Sequence, residues 1–166
     1  MDEIVNDVVN RLIKRNETIS TMEACTGGAI VNAITNVQGS SKVIKFSAIT
    51  YSHDYKVRLG VDKNIIEEYS VYSLHTVREM AFRISFFAES TYGIGITGKF
   101  DSKPSDIPGK KSPRNKVFIS IYNSKNNTYT DFILKCPNKR REKCKEYIVK
   151  KIMEKLIEIL NDEETR

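Results

Sequence analysis

Histidine, cysteine and long apolar runs are scarce in this 166-residue chain. No stretch of about 18 apolar residues occurs, so no membrane-spanning helix is expected. Met1-Asp2-Glu3-Ile4 lacks the basic-then-apolar layout of a secretory signal, which predicts an intracellular, cytoplasmic protein. The three cysteines, Cys25, Cys136 and Cys144, form no metal-ligand spacing and are odd in number, as expected of reduced thiols. His53 and His75 are the only histidines, so no zinc site is expected.

Hydrophobic residues at 40% and charged residues at 29% are ordinary for a soluble globular protein. The length suits one domain, residues 1–166, with a proper core. The formal charge is +6, and part of the excess is gathered in one segment. There Lys99, Lys103, Lys110, Lys111, Arg114 and Lys116 face only Asp101 and Asp106. A second group is Lys139, Arg140, Arg141, Lys143 and Lys145. The plain reading is a solvated basic surface, followed by a site for phosphate-bearing small molecules. Nucleic acid is a weaker reading, because neither segment interleaves aromatic residues with its cations.

Apolar periodicity predicts a helix over residues 2–16, with Ile4, Val5, Val8, Val9, Leu12 and Ile13 on one stripe. Strands are predicted at 18–24, 43–51 and 92–97, and helices at 28–37, 63–68, 75–90 and 138–160. A hairpin follows from 116–122 and 128–134 around Asn123-Ser124-Lys125-Asn126-Asn127. Residues 98–115, with Pro104, Pro108 and Pro113, form a loop too long for a passive connector. Early alternation demands parallel pairing and the late hairpin antiparallel pairing. A three-layer α/β/α sandwich on a mixed β-sheet satisfies both.

Gly93-Ile94-Gly95-Ile96-Thr97-Gly98 matches a dinucleotide fingerprint in letters only. Its glycines lie within the strand, and Lys99-Phe100-Asp101-Ser102-Lys103-Pro104 is no helix start. The remaining reading is a buried strand whose glycines admit a ligand or a neighbouring backbone. Cys25-Thr26-Gly27-Gly28 joins a strand to a helix. It is either an anion-attracting helix start or a tight turn capped by Thr26. Downstream lie Gly39-Ser40-Ser41 and Thr50-Tyr51-Ser52-His53-Asp54-Tyr55-Lys56. A serine hydroxyl needs a base to become a nucleophile, and a lysine amine with a lowered pKa can serve. The segment can therefore hold a Ser–Lys hydrolase.

These residues carry a resemblance. Met22-Glu23-Ala24-Cys25-Thr26-Gly27-Gly28, Gly39-Ser40-Ser41 and Thr50-Tyr51-Ser52-His53-Asp54-Tyr55-Lys56 are similar, without a gap, to A-E-S-C-T-G-G, G-S-S and T-Y-S-N-x-x-K. Those patterns mark the C-terminal domain family of the competence/damage-inducible protein CinA, whose stand-alone forms are nicotinamide-mononucleotide (NMN) deamidases. Leu59-Gly60-Val61, Val71-Tyr72-Ser73, Ile96-Thr97-Gly98 and Asn138-Lys139-Arg140 resemble further family segments. The chain departs from the pattern at Ala24, where the family usually has serine. It departs again at Lys99 to Ile107 and at Ser112-Pro113-Arg114-Asn115-Lys116-Val117.

The resemblance implies hydrolysis of the NMN carboxamide to nicotinic acid mononucleotide and ammonia, with no metal and no cofactor. In that reading Ser41 attacks the carboxamide carbon, Lys56 is the general base and Tyr51 orients the pair. Backbone amides near Ser41 or Gly98 receive the oxyanion, and Thr97-Gly98 opens the substrate loop. Arg140 and the Thr26-Gly27-Gly28 turn are the candidates for the phosphate. Glu23 holds either Lys56 or a ribose hydroxyl, or is a strand-end surface acid. A homo-oligomer is implied. Two other readings stand beside this one: a nucleotide-binding module that has lost its chemistry and changed its ligand, and a basic nucleic-acid-binding protein.

Overall fold

The computed structural model describes residues 1–100, 115–137 and 140–166. Helix α1 (Asp2–Arg15) opens with Asp2 and Glu3, closes with Lys14 and Arg15, and turns at Asn16 with a left-handed backbone. It buries Val5, Val8, Val9 and Leu12, the stripe its spacing predicts. Strand β1 (Ile19–Glu23) is buried along its whole length. Helix α2 (Ala29–Thr35), a single short turn at Ser40–Lys42 and strand β2 (Ile44–Ile49) follow. Then come α3 (His53–Arg58), α4 (Lys63–Tyr69) and α5 (Leu74–Ala88). Strands β3 (Tyr92–Gly98), β4 (Lys116–Asn123) and β5 (Thr128–Lys135) lead into α6 (Arg141–Glu164).

The sheet order is β2-β1-β3-β4-β5. β1 runs parallel to β2 and β3, while β4 is antiparallel to β3 and β5. Helices α1, α2 and α6 pack together on one face and α5 covers the other, which makes the three-layer α/β/α sandwich. The main core lies under α1, α2 and α6, with Ile94 and Ile96 of β3 and Ile119 and Ile121 of β4 pointing into it. A smaller cluster of Met22, Val61, Met80 and Ile84 lies under α5.

The glycines of β3 serve the α5 layer. A Cβ on Gly93 would fall 2.1 Å from the Ala81 carbonyl oxygen, and one on Gly95 would fall 2.3 Å from that of Val77. Of the two uses that the sequence leaves open for these glycines, close approach of a neighbouring backbone is the one the fold makes. Ser73 caps α5 by accepting the Thr76 N–H at 3.1 Å.

The connections set the position of the site. The chain leaves β1 through α2 on one face to reach β2, then returns over α5 on the other face to reach β3. β1 is thus a switch point, and in such sheets the crevice opens beyond the carboxyl ends of the parallel strands. Glu23, Ile49 and Gly98 mark that edge. At the opposite edge Glu163 of α6 accepts hydrogen bonds from Tyr92 Oη (2.9 Å), Asn123 Nδ2 (2.6 Å) and Lys125 Nζ (2.6 Å). Arg15 joins the same cluster and bonds Glu17 at 2.9 Å.

Candidate functional site

A cavity of about 210 Å³ lies at the carboxyl edge. Ala24 and Cys25 line it from the end of β1, and Tyr51, His53 and Lys56 from the segment after β2. Thr97, Gly98, Lys99 and Phe100 enter from the end of β3, Val71 and Tyr72 from the turn before α5, and Arg141 from the start of α6. Its volume is below the roughly 300–1,000 Å³ of typical ligand pockets, so a nucleotide-sized molecule would fit it only in part.

Lys56 is the most buried charged residue in the cavity lining. Helix α3 carries it inward, and only 2% of the residue is exposed. Its Nζ donates to the Thr50 carbonyl oxygen at 2.6 Å. Burial pushes the amine below its ordinary pKa, and the neighbouring Cys25 thiol opposes this more weakly. Cys25 is pushed up to about 12, first by burial and next by Cys136, so it keeps its proton near neutral pH. Cys136 is pushed up to about 12 as well, by burial and then by Cys144, and none of the three cysteines forms a disulfide. At the mouth, Arg141 Nη2 donates to the Tyr51 hydroxyl at 3.3 Å. The Arg141 guanidinium also lies 5.2 Å from the Phe100 ring centre.

The structure brings Tyr51, Lys56, Thr97 and Gly98 of the expected site together in this cavity. Ser41 is not with them. It sits in the turn that precedes β2, whereas Tyr51 and Lys56 follow β2. The six residues of β2 span about 20 Å at ~3.3 Å each, so Ser41 lies at the opposite edge of the sheet, exposed. The expectation of a Ser41–Lys56 pair is corrected accordingly. Ala24 does line the cavity with Lys56, and it offers a methyl group where the family pattern has serine.

Glu23 holds neither Lys56 nor an open ligand position. It is fully buried and caps the turn into α2. Oε2 accepts from Thr26 Oγ1 (2.7 Å), Gly28 N (3.0 Å) and Ile30 N (3.3 Å); Oε1 accepts from Val31 N (2.9 Å) and Thr21 Oγ1 (3.2 Å). The amides expected to cradle a phosphate at Thr26-Gly27-Gly28 thus already face a carboxylate, and Thr26 is buried. A phosphate there would meet like charge. Arg140 is not part of the cavity lining; it is 81% exposed and pairs with Glu142 at 3.1 Å. Its neighbour Arg141 takes the cavity position.

His53, Tyr72, Phe100 and Arg141 have no expected role from the sequence. Tyr72 lay within a segment already noted for its resemblance, and Arg141 was one residue from the cation that was chosen. Lys103, Lys110, Lys111, Arg114 and Lys139 lie outside the described residues, as does most of the substituted loop. Among the described residues no group of acids, histidines and cysteines could hold a metal ion. No described helix is long and apolar enough to cross a membrane.

The model of the CinA C-terminal domain matches residues 1–160. A CinA-like protein of Kosmotoga olearia is 46% identical over 116 residues, 69% of this chain and 27% of that protein. The chain spans about a quarter of the length of the curated relatives it matches. The solved competence/damage inducible protein CihA of Agrobacterium tumefaciens superposes with a TM-score of 0.86, is 24% identical, and is covered over 96% of this chain and 94% of that one. A CinA superfamily protein of Klebsiella pneumoniae superposes with a TM-score of 0.87 at 22% identity, covering 97% of this chain and 98% of that one. At these identities the two structures speak for the fold, and the match over residues 1–160 speaks for the family. This chain belongs to the CinA C-terminal domain family.

Proposed function

We propose that the domain binds a small anionic molecule of the pyridine-nucleotide class in the carboxyl-edge cavity and does not cleave it through a Ser–Lys pair. The observation that carries this reading is Ala24. It shares the cavity wall with Lys56, and Ser41 stands at the other edge of the sheet. The Cys25 thiol, held near 12, does not replace the missing hydroxyl as a nucleophile near neutral pH. Binding is supported by the rest of the lining. Tyr51, Tyr72 and Phe100 give the lining an aromatic character suited to a planar ring, and Arg141 offers forked donors to a carboxylate or phosphate. The test is calorimetric titration with NMN, paired with an ammonia assay on the same sample. Saturable binding without ammonia is expected; ammonia release at an ordinary enzymatic rate contradicts the reading.

One observation favours the amidase reading, in which NMN is converted to nicotinic acid mononucleotide and ammonia. Lys56 remains buried in the cavity with its pKa lowered, the state a general base needs. In that reading Lys56 takes its proton from a water molecule aimed at the carboxamide carbon. Removal of the amine by Lys56→Met then abolishes ammonia release. Under the binding reading there is no release to abolish.

A further inference from the structure

Lys56 has features that a purely structural lysine lacks. Buried lysines are normally paired with acids. Lys56 has no carboxylate among the described residues at ion-pair distance, and its Nζ makes one hydrogen bond, to the Thr50 carbonyl oxygen at 2.6 Å. That bond uses an N–H and leaves the nitrogen lone pair unengaged when the amine is neutral. The side chain is 2% exposed and lines a cavity that opens at Tyr51 and Arg141. Ala24, which lines the same cavity, carries no hydroxyl for the amine to serve as a base. An amine so placed can act as a nucleophile in its own right.

We propose that Lys56 is itself the reactive group of the cavity and condenses with a small 2-oxo acid to form an imine. The proposal rests on the reading of the cavity as a ligand site. The lone pair of Nζ attacks the keto carbon, and the carbonyl π pair moves to oxygen. Nitrogen loses a proton and oxygen gains one, giving a carbinolamine. That hydroxyl then departs with a further proton as water, and the C=N bond forms. Amine and ketone become imine and water, with no oxidant or reductant. Burial holds the amine below its ordinary pKa, which favours the neutral form that reacts. Arg141 at the mouth suits the carboxylate of the 2-oxo acid. The start of α6, which has no side-chain cap, adds positive potential there. The Tyr51 hydroxyl, held by Arg141, stands in the same cavity as a proton donor for the departing oxygen.

The experiment is reductive trapping. The full chain is incubated with pyruvate, and separately with glyoxylate, in the presence of cyanoborohydride, and is then weighed intact and mapped by peptide mass. One adduct per chain is expected, at Lys56 and at least tenfold above any other lysine. Lys56→Arg, checked for folding by circular dichroism, is expected to lose it. Labelling spread over surface lysines with no preference for Lys56, in protein that is folded, overturns the proposal. NMN titration of the same sample separates the two readings. Binding without an adduct overturns only the imine; an adduct without binding overturns only the pyridine-nucleotide reading.

Discussion

The Nζ of Lys56 donates to the carbonyl oxygen of Thr50 at 2.6 Å, six residues back along the same turn of chain. That single bond does not compensate for burial of an ammonium ion. The folded state therefore takes up the Lys56 proton at a lower pH than the unfolded chain, whose value is near 10.5. Between those two values the unfolded chain binds more protons, so stability falls as pH falls. The cost grows as pH falls through that window. Lys56→Met is expected to stabilise the domain by about 1 kcal/mol at pH 7. The gain should shrink as pH rises toward 10.5. Urea unfolding at several pH values checks both points; a Met variant that is less stable at pH 7 contradicts the electrostatic account.

Glu23 gives a second expectation. Its two carboxylate oxygens accept from five donors of the turn into α2 and of β1. In Glu23→Gln one of those oxygens becomes an NH₂ group. In its better orientation the amide keeps the three donors on one side and opposes the Val31 N–H and the Thr21 hydroxyl on the other. A loss of about 2 kcal/mol is expected, with an unchanged denaturant slope. A urea midpoint equal to that of the wild type would show that the cap is dispensable.

Close packing of α5 on β3 yields a third. A methyl group on Gly95 meets the Val77 carbonyl oxygen at 2.3 Å, and that atom belongs to helix backbone. Gly95→Ala should cost about 3 kcal/mol or abolish soluble expression. Thermal unfolding of the variant measures it.

Acid stability should depend on Glu163. Burial alone would raise its carboxyl pKa, but hydrogen bonds from Lys125, Tyr92 and Asn123 outweigh that and hold it below the ordinary value of 4.5. A depressed carboxyl contributes stability above its unfolded pKa and loses it as pH falls through the folded one. Wild-type protein is therefore expected to lose stability below about pH 4.5, and Glu163→Gln should flatten that acid limb. Melting temperatures from pH 3 to pH 7 test the sign.

All five strands, the long helices α1, α5 and α6 and the mixed pairing were legible in the chain, because apolar periodicity and the late hairpin signal are local. Helix α3 was not. Its six residues carry no apolar stripe, and its only local marks are the Ser52 cap and Asp54 in its first turn. The misplacement of Ser41 has a different origin. A strand between Val43 and Tyr51 was itself predicted, and a strand of that length sends its two ends to opposite edges of a sheet. Motif spacing runs along the chain, whereas distance in the fold runs across the sheet. The choice of Arg140 over Arg141 was a question of helix phase, which one residue changes by about 100°. Glu23 lay in the motif, but its partners are backbone amides, and no residue type announces them.

The claim on which the account turns is that position 24, rather than position 41, is where a hydroxyl would meet Lys56. Ammonia release from NMN by Ala24→Ser, measured beside the wild-type chain at equal concentration, tests it most directly. The account predicts no release above blank from the wild type and measurable release from Ala24→Ser. Release from the wild type that disappears in Ser41→Ala would contradict it.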